Sequence, residues 1–461
     1  MYLFKTNKPL SLCLAMLLVA WSALTSCSGD DYLNAIPAKS TALVSVDLQA
    51  LSTRSGMEDK VGALKKILHV DDLSGCGIDF SEKVYLFETA DGNLGLCAKV
   101  DDDDDVASWL GRLEKEHCCS AVSERKDCRF AVLDESWMVG FSSSAVLVMG
   151  PVVPDGQADL QRQMLRMLGA DEKAGIKNSR LFDRLDSISA PVAMVAQVQA
   201  LPEKFTAPLT LGAPKDADCS QIIVAAGMNV ENKVMHIKAK TFSFNKAVDQ
   251  SLQKAWLNCR PVHGDYIGNM PAGSAAAIFM NVNGKDFLPI MQSNAGLHTL
   301  LLGINTAIDM DNIIRSVDGD LALVVPSFAA DNMQLKMTAK LAHAKWLNDV
   351  DYWKKSCPAG TSIVNWGKNA FRYGNGKTYF FFGVTPDLQF YCGNDAEAAS
   401  AALTLSDHPL PADVQQMLKG QKMGMVLNLG LTGGGKDVMG VVSALLRPLF
   451  GNVACVVCTM Q

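Results

Sequence analysis

A nine-residue stretch, Tyr32-Leu33-Asn34-Ala35-Ile36-Pro37-Ala38-Lys39-Ser40, returns 234 residues later as Tyr266-Ile267-Gly268-Asn269-Met270-Pro271-Ala272-Gly273-Ser274. Four of the nine positions are identical and two more exchange one aliphatic residue for another. The segments after each copy recur in the same order. An alternating run follows, 42–48 in one case and 275–282 in the other, and then a helix-forming stretch. Paired runs come next: 84–88 with 94–100 around Asp91-Gly92, a hairpin signal, and 321–325 with 333–341. A helix carrying Trp109-Leu110 or Trp346-Leu347 follows, then Cys118 or Cys357. Three short runs then read as a meander, 128–133, 137–141 and 145–149, against 370–373, 377–382 and 387–392. Short helices lead to a last shared strand, 192–199 or 424–429.

A shared order of this length predicts an α+β chain of two homologous halves. Each is expected to be an antiparallel sheet with helices packed on one face. The expected boundaries are a leader over 1–26, a first half over 27–262 and a second over 263–461, divided in the irregular stretch around Pro261 and Gly264. The first half ends in a hairpin, 222–230 with 233–244, whereas the second shows only 452–460. The second sheet is therefore expected to lack its last strand and to present an open edge.

Lys5 and Lys8 precede an uncharged stretch, Leu10 to Leu24, too short to span a bilayer and suited to a secretory signal. It ends in Leu24-Thr25-Ser26-Cys27, which resembles a bacterial lipobox. That resemblance implies cleavage before Cys27 and a diacylglycerol, with palmitate among the acyl chains, on its sulfur. A plain signal peptide would instead leave Cys27 an ordinary thiol. Ser28 after the cysteine implies an outer-membrane lipoprotein, and Asp30-Asp31 leaves the periplasmic and cell-surface sides both open. The expected partners are the membrane, through this lipid, and an unidentified envelope protein or ligand in the groove between the halves. Nucleic acid is not expected, because 48 acids against 42 bases give a net charge of −6 and no basic footprint.

No catalytic, cofactor or metal residues are assigned. Gly430 to Asp437 approaches a P-loop, but Asp437 stands where Ser or Thr would hold magnesium. The carboxylate run Asp101 to Asp105 lacks the spacing and turn glycine of a calcium loop. It reads as a solvated loop whose last Asp caps the following helix. Cys455-Val-Val-Cys458 has redox or zinc spacing but strand-like flanks, which put the thiols on opposite faces. Cys118, Cys119 and Cys128 allow one short bridge, and buried free thiols are the favoured reading. Seven histidines are scattered, and Ser142-Ser143-Ser144 lacks the glycines of a nucleophile elbow. The run Tyr379-Phe380-Phe381-Phe382 puts rings on both faces of a strand, and burial is preferred over a ligand platform. Met164 to Leu168 reads as helix core.

The chain resembles a family of Bacteroides-type lipoproteins, domain-of-unknown-function family 4836. The matching residues are the lipobox at Cys27, Ile36-Pro37-Ala38, Val46-Asp47-Leu48, Gly77-Ile78-Asp79 and Arg315-Ser316-Val317-Asp318-Gly319-Asp320. That family implies no activity. The expected function is a non-catalytic, lipid-anchored envelope module for binding or interaction. The alternatives are an envelope hydrolase with a site assembled between the halves, and a structural subunit docking through the open sheet edge.

Overall fold

The computed structural model describes residues 29–53, 70–201, 206–294, 307–327, 334–429 and 453–460, except 71 and 215, together with single positions 65, 298 and 305. The leader, Cys27 and the Gly430–Asp437 loop lie outside the described residues. The protein is mixed α+β with mostly antiparallel pairing. It divides into two compact units: Met1–Ser40 with His69–Asp183, and Thr41–Leu68 with Arg184–Gln461. Among the described residues, no helix is long and apolar enough to cross a membrane.

Both copies of the repeated motif adopt one backbone arrangement. Ile36 N–H donates to Leu33 O (3.2 Å) and Ser40 N–H to Pro37 O (3.0 Å); Met270 donates to Ile267 (3.2 Å) and Ser274 to Pro271 (2.9 Å). In each copy the alanine after the proline also donates outside the motif, Ala38 N–H to Ala174 O (3.0 Å) and Ala272 N–H to His408 O (2.8 Å). The first copy runs on into strand β1 (Ala42–Val46).

In the first unit, β2 (Val84–Glu88), β3 (Leu94–Lys99), β4 (Ser123–Arg125), β5 (Cys128–Leu133), β6 (Trp137–Phe141) and β7 (Ala145–Gly150) form an antiparallel sheet. Its order is β2-β3-β7-β6-β5-β4. Helix α1 (Asp103–Lys115) joins β3 to β4, and α2 (Gln157–Leu168) follows β7. Gly77, at φ 70°, lets the chain pass under α1; a Cβ there would sit 2.2 Å from Asp102 O. The cap of α1 is Asp102, whose side chain accepts from the amides of Asp104 (2.9 Å) and Asp105 (3.1 Å). This corrects the expectation that the last Asp of the run caps the helix. Asp103, Asp104 and Asp105 occupy the first turn instead, where negative charge meets the positive end of the helix dipole.

The second unit contains β8 (Val192–Gln197), β9 (Ile222–Glu231), β10 (Val234–Ser243), β11 (Cys259–Arg260), β12 (Ala276–Asn283), β13 (Val317–Val325) and β14 (Lys336–Leu341). The chain continues through β15 (Ser362–Gly367), β16 (Ala370–Gly374), β17 (Tyr379–Val384), β18 (Gln389–Gly393), β19 (Met423–Asn428) and β20 (Cys455–Met460). The pairing order, with β1 at one end, is β1-β8-β9-β10-β20-β19-β12-β13-β14-β18-β17-β16-β15. The part from β13 to β15 repeats the pairing order of the first unit. Val100 N–H donates to Ser144 O (3.1 Å), and Leu341 N–H does the same to Leu388 O (2.9 Å).

All these pairs are antiparallel except β10–β20, which is parallel over Val234–Ala239 and Cys455–Met460. The open edge expected on the second sheet is therefore filled. β20 has β19 on one side and β10, a strand assigned by sequence to the first half, on the other. The sequence boundary at 262 accordingly falls inside a compact unit.

The expectation of helices on one sheet face is also corrected. In the second unit, a 3-10 turn carrying Trp346 leads into α6 (Val350–Lys355). Trp346 is 0% exposed and packs on Trp353, Phe382 and Phe390. On the opposite face, α7 (Ala396–Ala401) lies so close that a Cβ on Gly393 would be 2.6 Å from Ala399 N. In the first unit, α2 covers Gly140 through Met164, while Arg129 lies over Phe141 and pairs with Asp103 and Asp104 of α1. A sheet with apolar residues on both sides must be covered on both. The remaining helices used below are α3 (Lys246–Leu257), α4 (Gly284–Ser293), α5 (Met310–Arg315) and α8 (Ala412–Leu418). In the second unit, one core joins Trp256 of α3, Phe287 of α4 and Ile313 of α5 to Trp346, Phe382 and Phe390.

Candidate functional site

The β9–β10 hairpin turns through Asn232 and Lys233, both at positive φ (51° and 63°). Side chains alternate across a strand, so His236, Lys238 and Lys240 of β10 share one face. Their partners on β9 are Asn229, Gly227 and Ala225, two of them small. A cavity of about 260 Å³ results, bounded on its far side by Arg184, Ile188, Ser189 and Ala190. Ala190 and Ile188 pack directly over Gly227, where a Cβ would meet both at 3.1 Å.

The same face of β10 and β20 is closed elsewhere. Val234 and Val457 pack under Val414 and Leu418 of α8. The cover stops short of His236, whose Nε2 lies 3.0 Å from Oγ1 of the buried Thr459 on β20. Burial holds the imidazole below its ordinary range; Lys238 adds to that, and Glu231 opposes it. The Arg184 guanidinium sits 5.5 Å above the Phe242 ring and its Nη1 donates to Ser187 Oγ (3.3 Å), so its plane is held before any ligand arrives. Arg184, His236, Lys238 and Lys240 line the cavity, and among the described residues its lining includes no carboxylate. Among the described residues, neither lysine nor Arg184 makes an ion pair. This is an unneutralised cationic recess in a chain of net charge −6.

A second cluster gathers His263, Asp265 and Asp320, with one ligand-type atom from each within 4.8 Å of the others. Asp320 is 2% exposed. Its Oδ1 accepts from His263 N–H (3.0 Å) and Asn281 Nδ2 (2.9 Å), and its Oδ2 from the amides of Gly264 (2.7 Å) and Asp265 (3.0 Å). Four donors on two oxygens occupy the lone pairs a cation would need. The arrangement suits an anchor that fixes the 263–265 turn to β13. The signal was the motif ending at Asp320; its partner loop lies 55 residues earlier and is not a local pattern.

The other residues singled out by sequence are dispersed. The thiols of Cys455 and Cys458 lie on β20 three residues apart, hence on opposite faces, and burial pushes both up to about 11. Cys118, Cys119 and Cys128 are free thiols, as are the other described cysteines. Ser142 and Ser144 bond to one another (3.3 Å) within a turn. Phe380 and Phe382 stack toward the core (5.6 Å between centroids), whereas Phe381 meets Trp366 (5.1 Å) on the other face. Met164 and Met167 are buried in α2. The cleft residues Arg184, His236, Lys238 and Lys240 were missed. Basic residues alternating along a strand read as a solvated face, and nothing local ties them to Arg184.

A family model described as Domain of unknown function (DUF4836) matches residues 32–408. No curated protein matches the chain. A solved structure described as crystal form IV of TP0453 is similar at 11% identity and a TM-score of 0.25, covering 42% of this chain and 70% of that one. A likeness at that level carries no argument.

Proposed function

The chain belongs to the DUF4836 family, and on that premise we propose that it is a lipid-anchored cell-envelope protein that binds a ligand in the Arg184–His236–Lys238–Lys240 cleft and does not turn it over. In this reading the leader 1–26 is removed and Cys27 carries the lipid. The protein resides at the outer membrane, and two homologous halves form the body. The halves are supported by the matching backbone bonds of the repeated motif and by the recurring strand order. Several acyl chains at about 0.8 kcal/mol per methylene hold such a protein on a bilayer without a spanning helix.

The observation that carries the binding reading is the cavity itself, lined by four basic side chains and, among the described residues, no carboxylate. Binding is favoured over hydrolysis because the His236 Nε2 is engaged by Thr459, a fully buried hydroxyl on the neighbouring strand β20. The test is native mass spectrometry of the full chain purified from its own envelope. A small molecule released on denaturation is expected, and it should be absent from the Arg184→Ala/Lys238→Ala/Lys240→Ala variant. An identical bound species in both proteins, or none in either, contradicts the reading. Labelling with a palmitate analogue is expected to mark the wild type and not Cys27→Ala; equal labelling overturns the anchor.

A further inference from the structure

We infer that the cleft takes a compact ligand bearing a phosphate or carboxylate group, gripped by Arg184, Lys238 and Lys240; this rests on the cleft being the binding site. Lys238 and Lys240 project from one face of β10 about 7 Å apart at their bases, a spacing their flexible stems can close around a single oxyanion. Arg184 approaches from the opposite wall with a planar fork suited to two oxygens at once, and the Phe242 ring fixes its plane.

Three cations around one cavity repel one another. Lys238 and Lys240 are exposed and solvent screens part of that repulsion; among the described residues no side chain relieves the rest through an ion pair, and an anionic ligand would. Glu231 acts on His236 from the hairpin end and is not part of the lining. Ala225, the β9 partner of Lys240, leaves the bases of the two lysines uncrowded by a large neighbour. At about 260 Å³, the cavity lies just under the roughly 300 Å³ at which drug-sized pockets begin, which limits the bound part to a small acid or a phosphorylated headgroup.

Isothermal titration of the full chain in neutral detergent at low salt tests this, with inorganic phosphate, succinate, glycerol phosphate and glucose as probes. Saturable binding of at least one anion is expected, with none for glucose. The Lys238→Ala/Lys240→Ala double variant should bind about tenfold or more weakly, Lys240→Arg should retain most of the affinity, and added salt should weaken binding. Glycerol phosphate binding about tenfold tighter than inorganic phosphate assigns the site to a lipid headgroup, and equal affinity to a free anion. Absence of saturable binding by all three anions, or an unchanged double variant, overturns the inference. If the molecule retained by the purified wild type then proves uncharged and is still lost from the triple variant, the cleft remains the binding site and only its preference for anions is refuted. If nothing is retained, both readings fall.

Discussion

The six-strand arrays of the two units pair in the same order and differ in what lies on top of them. In the first, the twelve-residue α2 covers the face that carries Gly140. In the second, the six-residue α7 does the equivalent work, and Tyr379 of β17 and Val364 of the edge strand β15 stay partly in solvent. The strand that follows the first hairpin turn shows the same contrast. Gly95 of β3 has the Phe87 ring against its Cα, whereas β14 carries the buried Lys336, which reaches Asn269 O at 3.1 Å. Backbone pairing tolerates wide changes in side-chain content as long as alternation survives. The cover and the core then decide how stable each unit is and what it leaves accessible.

The largest effect expected from this comparison is at Trp346. Trp346→Ala removes a fully buried indole from a cluster of four rings and should cost the second unit about 4 kcal/mol. The loss is read as faster amide exchange in β17 and β18, with the first unit unchanged; a cost under about 1 kcal/mol would mean the core is not built around this ring. Asp320→Ala strands three backbone amides and the Asn281 amide and is expected to cost about 3 kcal/mol. Asp320→Asn, which still accepts, should lose less in urea titration. Equal losses would reject the anchoring role.

Lys336→Met replaces a buried charge that has no carboxylate partner among the described residues, and should gain about 1 kcal/mol at neutral pH. Burial lowers the Lys336 pKa below the ordinary lysine value, so the unfolded chain binds this proton more readily than the folded one. Wild-type stability should therefore climb toward that of the variant as pH rises through the interval up to about 10.4, the unfolded value. A constant difference across that interval would contradict a charged, desolvated Lys336. An effect of the same size is expected at the α1 cap: Asp102→Ala should cost about 1 kcal/mol, confined to the first unit.

Much of the strand order was legible because alternation with turn residues between runs is a local signal. β4 was missed because Ser123-Glu124-Arg125 is exposed throughout, and β15 because its burial does not alternate cleanly. β13 begins at Val317, four residues before the expected run, since Asp318 and Gly319 look like a turn. The parallel β10–β20 contact joins positions more than 200 residues apart, and no periodicity announces such a pairing. The cleft was illegible for the same reason: it depends on where α8 ends, on the small residues of β9 and on Arg184, three separate stretches of chain.

The claim on which this account turns is that the cationic recess holds an oxyanion. A crystal of the full chain soaked in selenate reads it directly, through the anomalous signal of selenium. The expected result is a peak with its oxygens about 3 Å from the Arg184 guanidinium and the ammonium groups of Lys238 and Lys240. An empty cleft in a crystal whose selenate has bound elsewhere would contradict it.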